Sequence, residues 1–121
     1  MAQRILVVED SNEIQEILQM TLAFSGYEVV CAGNGREGLD ALQARGPFNL
    51  VITDLDMPVM SGVDFIRHCR ADHDPDLPII VLTAEIPELI EKAVAAGANK
   101  VIPKPFEPIQ LLDNIAKMAR A

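Results

Sequence analysis

At 121 residues the chain has the length of one domain and can bury roughly two-thirds of the surface it exposes when unfolded. Half the residues are hydrophobic, 23% are charged, and the formal charge is −8 with no basic run, which argues against nucleic-acid binding by this chain. No apolar stretch reaches the ~18 residues of a membrane helix, and the start runs straight into a strand with no signal peptide, so the expected setting is cytoplasmic, away from membranes.

Apolar strand-like runs alternate with helical patterns five times. Residues 4–8 predict the first strand. Residues 12–25 predict a helix with Ile14, Ile17, Leu18 and Leu22 inward, Ser11 or Asn12 as N-cap and Gly26 as the stop. The second strand covers 28–32, and a short helix over 35–45 turns Leu39 and Leu42 inward before Gly46-Pro47. Residues 49–53 are the third and most apolar strand. A loop with Pro58 and Gly62 leads to a helix burying Val63, Ile66 and Cys69, broken by Asp74-Pro75-Asp76. Residues 78–83 give the fourth strand, and the next helix has Pro87 in its first turn and Gly97 past its end. Residues 99–103 give the fifth strand, where Pro103 argues for a sheet edge; Pro108 opens a last helix with Ile109, Leu112 and Ile115 inward.

Such alternation implies right-handed crossovers and an α/β fold, a doubly wound five-stranded parallel sheet with helices on both faces. The near-continuous apolar character of the first, third and fourth strands agrees, because strands covered on both faces lose in–out alternation. Cys31 and Cys69 lack metal-type spacing and are expected to be small buried hydrophobes rather than a disulfide. His68 and His73 are five residues apart, on different helix faces, and belong to a solvated helix end.

The chemistry gathers at strand ends. Glu9 and Asp10 follow the first strand, Asp54 the third, Thr83 closes the fourth and Lys104 follows the fifth. In a parallel sheet these ends converge on one edge, so three acids and a lysine meet in one crevice. Two carboxylates ~4 Å apart repel by about 4 kcal/mol at an effective dielectric of 20, so protonation or a divalent cation must compensate. An open, oxygen-rich site suits magnesium, which accepts one or two carboxylates plus phosphate oxygens. Asp54 is then a plausible nucleophile toward phosphorus, with Lys104 and Thr83 placed to bind phosphoryl oxygens.

Four motifs, each at a strand end, carry a resemblance over essentially the whole chain: Val7-Val8-Glu9-Asp10-Ser11, Thr53-Asp54-Leu55-Asp56-Met57-Pro58 with Ser61-Gly62, Leu82-Thr83-Ala84, and Pro103-Lys104-Pro105-Phe106. Together they resemble the receiver domain of two-component response regulators, with residues 1–121 as a single receiver. The resemblance implies a flavodoxin-like sheet with strand order 2-1-3-4-5. It implies Asp54 as phosphoacceptor, Lys104 and Thr83 as catalytic groups, and magnesium (or manganese) on Glu9, Asp10, Asp54 and the backbone carbonyl of Asp56. It further implies a cis Lys104–Pro105 peptide and a phosphodonor that is a histidine kinase, a histidine phosphotransfer protein or a small phosphodonor. Target proteins would dock through the fourth helix, fifth strand and fifth helix.

Several positions depart from the receiver pattern. Val101 occupies the switch position where Tyr or Phe is usual, so the coupling with Thr83 loses its large rotamer. Pro103 replaces a small or hydroxyl residue and should stiffen the last strand, and the stretch from Thr83 to Lys104 looks one residue short. Asp56 and Glu85, each two residues past a site residue, flank the expected path of the attacking water and should tune phosphoryl lifetime. Two other functions stay open: an interaction module that ignores phosphorylation, suggested by Val101, and a haloacid-dehalogenase-like phosphohydrolase, suggested by Asp54-Leu55-Asp56. The second lacks a later acidic pair and carries Met57-Pro58 where its motif would continue.

Overall fold

A computed structural model describes residues 2–84 and 86–121. Five strands, β1 (Arg4–Val8), β2 (Glu28–Ala32), β3 (Leu50–Thr53), β4 (Ile79–Thr83) and β5 (Lys100–Pro103), alternate with five helices. The helices are α1 (Asn12–Phe24), α2 (Gly35–Arg45), α3 (Gly62–His68), α4 (Pro87–Ala96) and α5 (Pro108–Met118). All pairings are parallel, in the order β2-β1-β3-β4-β5, which puts the proline-bearing β5 at an edge as expected. A π-helical turn, Cys69–His73, continues α3 until Asp74 turns extended.

Successive strand residues point to opposite faces, and the core divides accordingly. Leu6, Val8, Val51, Ile79 and Val81 pack against α2, α3 and α4 through Leu39, Val63, Phe65, Ile66 and Ala93. Ile5, Val7, Leu50, Ile52, Ile80 and Leu82 pack against α1 and α5 through Leu18, Leu22, Leu111 and Ile115. Residues 5–8, 50–53 and 79–83 are buried throughout, so the apolar runs that lack alternation are indeed covered on both faces.

Two helices sit rotated from expectation. In α1 the inward stripe is Ile14, Leu18 and Leu22, whereas Ile17 is 51% exposed. In α5 the fully buried residues are Leu111 and Ile115, and Ile109 is 83% exposed. Both corrections have one cause: residues four apart meet the sheet, and the remaining apolar residue is turned away, Ile17 by about 100° from Leu18 and Ile109 by about 160° from Leu111. Cys31 and Cys69 are both free; Cys69 is buried as expected, with burial pushing its thiol up to about 12, whereas Cys31 is only half-buried on the edge strand β2. His68 and His73 are exposed, and His68 pairs with Asp72 at 3.1 Å. Among the described residues no helix is long and apolar enough to cross a membrane.

Candidate functional site

Sheet register fixes the site before any side chain is considered. Val8 pairs with Thr53, so Glu9 and Asp54 leave β1 and β3 at one level. Thr83 pairs with Pro103, and the Lys104 amide donates to the Thr83 carbonyl at 2.8 Å, bringing the lysine to the same edge. The ladder runs one residue past each acidic strand: Glu9 N donates to Ala32 O at 2.9 Å and Asp54 N to Val8 O at 3.0 Å. The acids therefore stand on hydrogen-bonded backbone rather than on free loops.

Asp54 is buried and held at every polar atom described. Its Oδ1 accepts from Leu55 N at 2.7 Å, its Oδ2 from Lys104 Nζ at 3.0 Å, and its carbonyl from Thr53 Oγ1 at 2.8 Å. Gly62 opens α3 against this same backbone. A Cβ there would lie 1.9 Å from the Asp54 carbonyl oxygen and 2.7 Å from Leu55 Cα, and Gly62 N donates to Leu55 O at 2.9 Å. Only glycine permits that approach. Between them, Met60 N donates to Pro58 O at 2.7 Å across Val59, whose φ is +69°. This is a γ-turn closed on a β-branched residue in the left-handed region, a strained arrangement.

Lys104 Nζ donates to both Glu9 oxygens, at 3.0 and 3.1 Å, as well as to Asp54. Burial works to lower its pKa, but hydrogen bonds and charge from Asp54 and Glu9 outweigh that and leave it raised, so the ammonium stays charged. Glu9 is 3% exposed, and burial pushes its carboxyl up to about 7 despite the Lys104 hydrogen bond, with Asp54 adding repulsion. Asp10 is exposed at the mouth. Glu9, Asp10 and Asp54 each bring a carboxylate oxygen within 4.8 Å of the others. Three acids against one ammonium leave two negative charges when all are ionised. That excess, on hard oxygen donors, fits a divalent cation of the magnesium class.

The expected group thus comes together: Glu9, Asp10, Asp54 and Lys104 share one crevice, and Thr83 is buried at the neighbouring strand end. The Lys104–Pro105 peptide is cis, as is Gly46–Pro47. The Asp56 side chain is exposed in the loop after β3, and Val101 is half-buried on β5 against the face carrying α4. Glu85 lies outside the described residues. Sequence reasoning gave no part to Gln15, whose side-chain amide donates to Glu9 O at 2.5 Å and Ala32 O at 3.2 Å. The available signal was a polar residue beside the inward stripe of the first helix, one turn past the acid pair.

Comparison with known proteins gives a consistent result. The family model described as "Response regulator receiver domain" matches residues 5–116. The uncharacterized transcriptional regulatory protein YkoG of Bacillus subtilis is 41% identical over 118 residues, covering 96% of this chain and 50% of that protein. Response regulator MprA of Mycolicibacterium vanbaalenii is 40% identical over 120 residues, covering 97% and 50%. The chain thus spans about half the length of the curated relatives it matches. Among solved structures, chemotaxis protein CheY4 of Vibrio cholerae superposes with a TM-score of 0.87 at 37% identity, covering 98% of this chain and 99% of that one. The receiver domain of sensor histidine kinase PA1611 from Pseudomonas aeruginosa, described with magnesium coordinated in its active-site cleft, gives 0.86 at 29% identity, covering 98% of each chain.

Proposed function

The chain belongs to the response regulator receiver family, and on that premise we propose that it is a phosphoryl-accepting switch with Asp54 as the acceptor. The observation that carries this reading is the shared ammonium: Lys104 Nζ lies 3.0 Å from both Glu9 Oε1 and Asp54 Oδ2, at an edge where three acids converge. Such an arrangement stores a nucleophilic carboxylate beside a cation able to follow charge onto an incoming phosphoryl group.

In the proposed reaction a carboxylate oxygen of Asp54 attacks phosphorus. The new O–P bond forms as the P–N bond of a phosphohistidine breaks, and the electron pair returns to the imidazole nitrogen. Lys104 keeps its proton and transfers its contact from the Asp54 oxygen to a phosphoryl oxygen. The Thr83 hydroxyl, buried at the end of β4, donates to another. Glu9, Asp10, Asp54 and the Asp56 carbonyl would hold magnesium, or manganese in its place, which when bound supplies charge neutralisation for the approaching anion. The protein contributes position and electrostatics and catalyses only its own phosphorylation and dephosphorylation.

The donor is proposed to be a histidine kinase or a histidine phosphotransfer protein in the cytoplasm. Output is proposed to pass through α4, β5 and α5, with Val101 responding to Thr83 by a smaller displacement than a swinging ring would give. The test is incubation with phosphoramidate and magnesium, read by intact mass. One added phosphoryl group is expected in the native protein, none in Asp54→Asn, and none after chelation. Labelling of Asp54→Asn to the same extent would defeat the assignment. Continuous turnover of a phosphomonoester would support the phosphohydrolase alternative instead.

A further inference from the structure

We infer that Gln15 is a positioning residue for the acid pair, its side-chain amide tying the peptide that enters Asp10 to the end of β2. Its main-chain N–H donates to Ser11 O at 2.9 Å, and its side-chain amide donates to Glu9 O at 2.5 Å. These are the carbonyls of the two residues that flank Asp10; the Ser11 bond is the first main-chain bond of α1, and the Glu9 bond is the one the side chain adds. The second amide hydrogen reaches Ala32 O at 3.2 Å, the same oxygen that accepts from Glu9 N at 2.9 Å. One half-buried side chain therefore joins the ends of β1 and β2 at the point where the chain turns from buried Glu9 to exposed Asp10.

The helix below cannot supply this restraint alone. Ser11 caps α1 by accepting from Ile14 N at 3.3 Å, which fixes the helix start but not the peptide that precedes Asp10. Glu9 is already committed to Lys104 through both carboxylate oxygens, so its own side chain orients it toward β5. Asp10 is the acid whose aim depends on backbone held by Gln15. Removing the amide leaves the Glu9 carbonyl without that donor and lets the Glu9–Asp10 peptide rotate. Partners that orient metal ligands from behind are worth roughly 10- to 100-fold in cation affinity. The inference rests on the switch reading of this site, because it assumes that the acid pair takes a divalent cation.

The test titrates Mn2+ alone by the loss of its free-ion electron paramagnetic resonance signal. Gln15→Met, similar in length but without an N–H donor, is expected to bind Mn2+ about tenfold more weakly than the native protein. Leu22→Val, a core change at the far end of α1, controls for general loosening of the helix and should stay within about twofold of native affinity despite some loss of stability. Gln15→Asn, which keeps the amide but is one methylene too short, is the second variant and should fall with Gln15→Met. Native affinity in both Gln15 variants would overturn the proposal, as would equal loss in Leu22→Val. Failure of the native protein itself to bind Mn2+ would instead overturn the switch reading, and this inference with it.

Discussion

Neutralising Glu9 should remove an unusual pH dependence from the cation-free protein. The Glu9 carboxyl is pushed from its ordinary 4.5 to about 7, chiefly by burial. Between those values the folded protein holds a proton that the unfolded chain has released. Stability therefore falls as pH rises through this window, the reverse of ordinary acid denaturation. A rise of that size is worth about 3 kcal/mol. With a urea m-value of about 1.5 kcal/mol/M, the native protein in chelator should lose about 2 M of midpoint between pH 5 and pH 8 relative to Glu9→Gln. Saturating magnesium should abolish the difference, because the cation takes the ionised form and displaces close to one proton near pH 6. Parallel midpoint-against-pH curves for the two proteins in chelator would refute the reasoning.

Val59→Gly should stabilise the protein by about 1–2 kcal/mol, because Val59 is 82% exposed, contributes little burial, and sits at a φ of +69° that glycine adopts freely; an unchanged urea midpoint would mean that the turn carries no strain. Gly62→Ala should cost about 3 kcal/mol and reduce phosphoryl labelling, since its Cβ would meet the Asp54 carbonyl and Leu55 Cα, both backbone atoms that cannot swing away; native stability and labelling would show that the loop yields easily. Near the opposite edge of the sheet, the Arg120 guanidinium beside Asp74 holds that carboxyl below its ordinary value. The pair's contribution is present above the ordinary carboxylate range and is lost as pH falls through the lowered value, so Arg120→Ala should flatten the decline in thermal midpoint between pH 5 and pH 2.5; a decline as steep as native would remove the pair from the acid response.

The strand ends were legible and the helix rotations were not, for physical reasons that differ. Asp54, Glu9 and Lys104 each follow an apolar run directly, and parallel pairing brings such termini together whatever the side chains do. Ile17 was misplaced because helical spacing defines an apolar stripe about 100° wide and only packing against the sheet chooses which edge of it is buried; Ile109 was misplaced because the spacing 109, 112, 115 passes over Leu111, which the sheet buries instead. The π-helical turn at Cys69–His73 gave no signal in the sequence because Asp74 could end either kind of helix. Gln15 escaped for a related reason. A glutamine in the first turns of a helix is ordinarily solvated, and its meaning depends on two carbonyls from different strands lying within reach.

These failures and successes divide the molecule by the kind of information each part needs. The acids and the lysine ride on strand tips, where covalent order and sheet register suffice to place them. Their fine orientation depends instead on α1, which supplies Gln15, and on α3, whose Gly62 lies against the Asp54 backbone. A variant can therefore keep every acid and the lysine and still lose the site, by changing a helix residue that touches neither phosphorus nor metal. The same logic bears on Val101. A substitution on β5 leaves the register of Thr83 and Lys104 intact, since their contact is between backbone atoms at 2.8 Å. On the proposed reading, phosphoryl acceptance and signal output are separable: the first rests on strand register and on the helix residues that hold the strand tips, the second on what packs around β5.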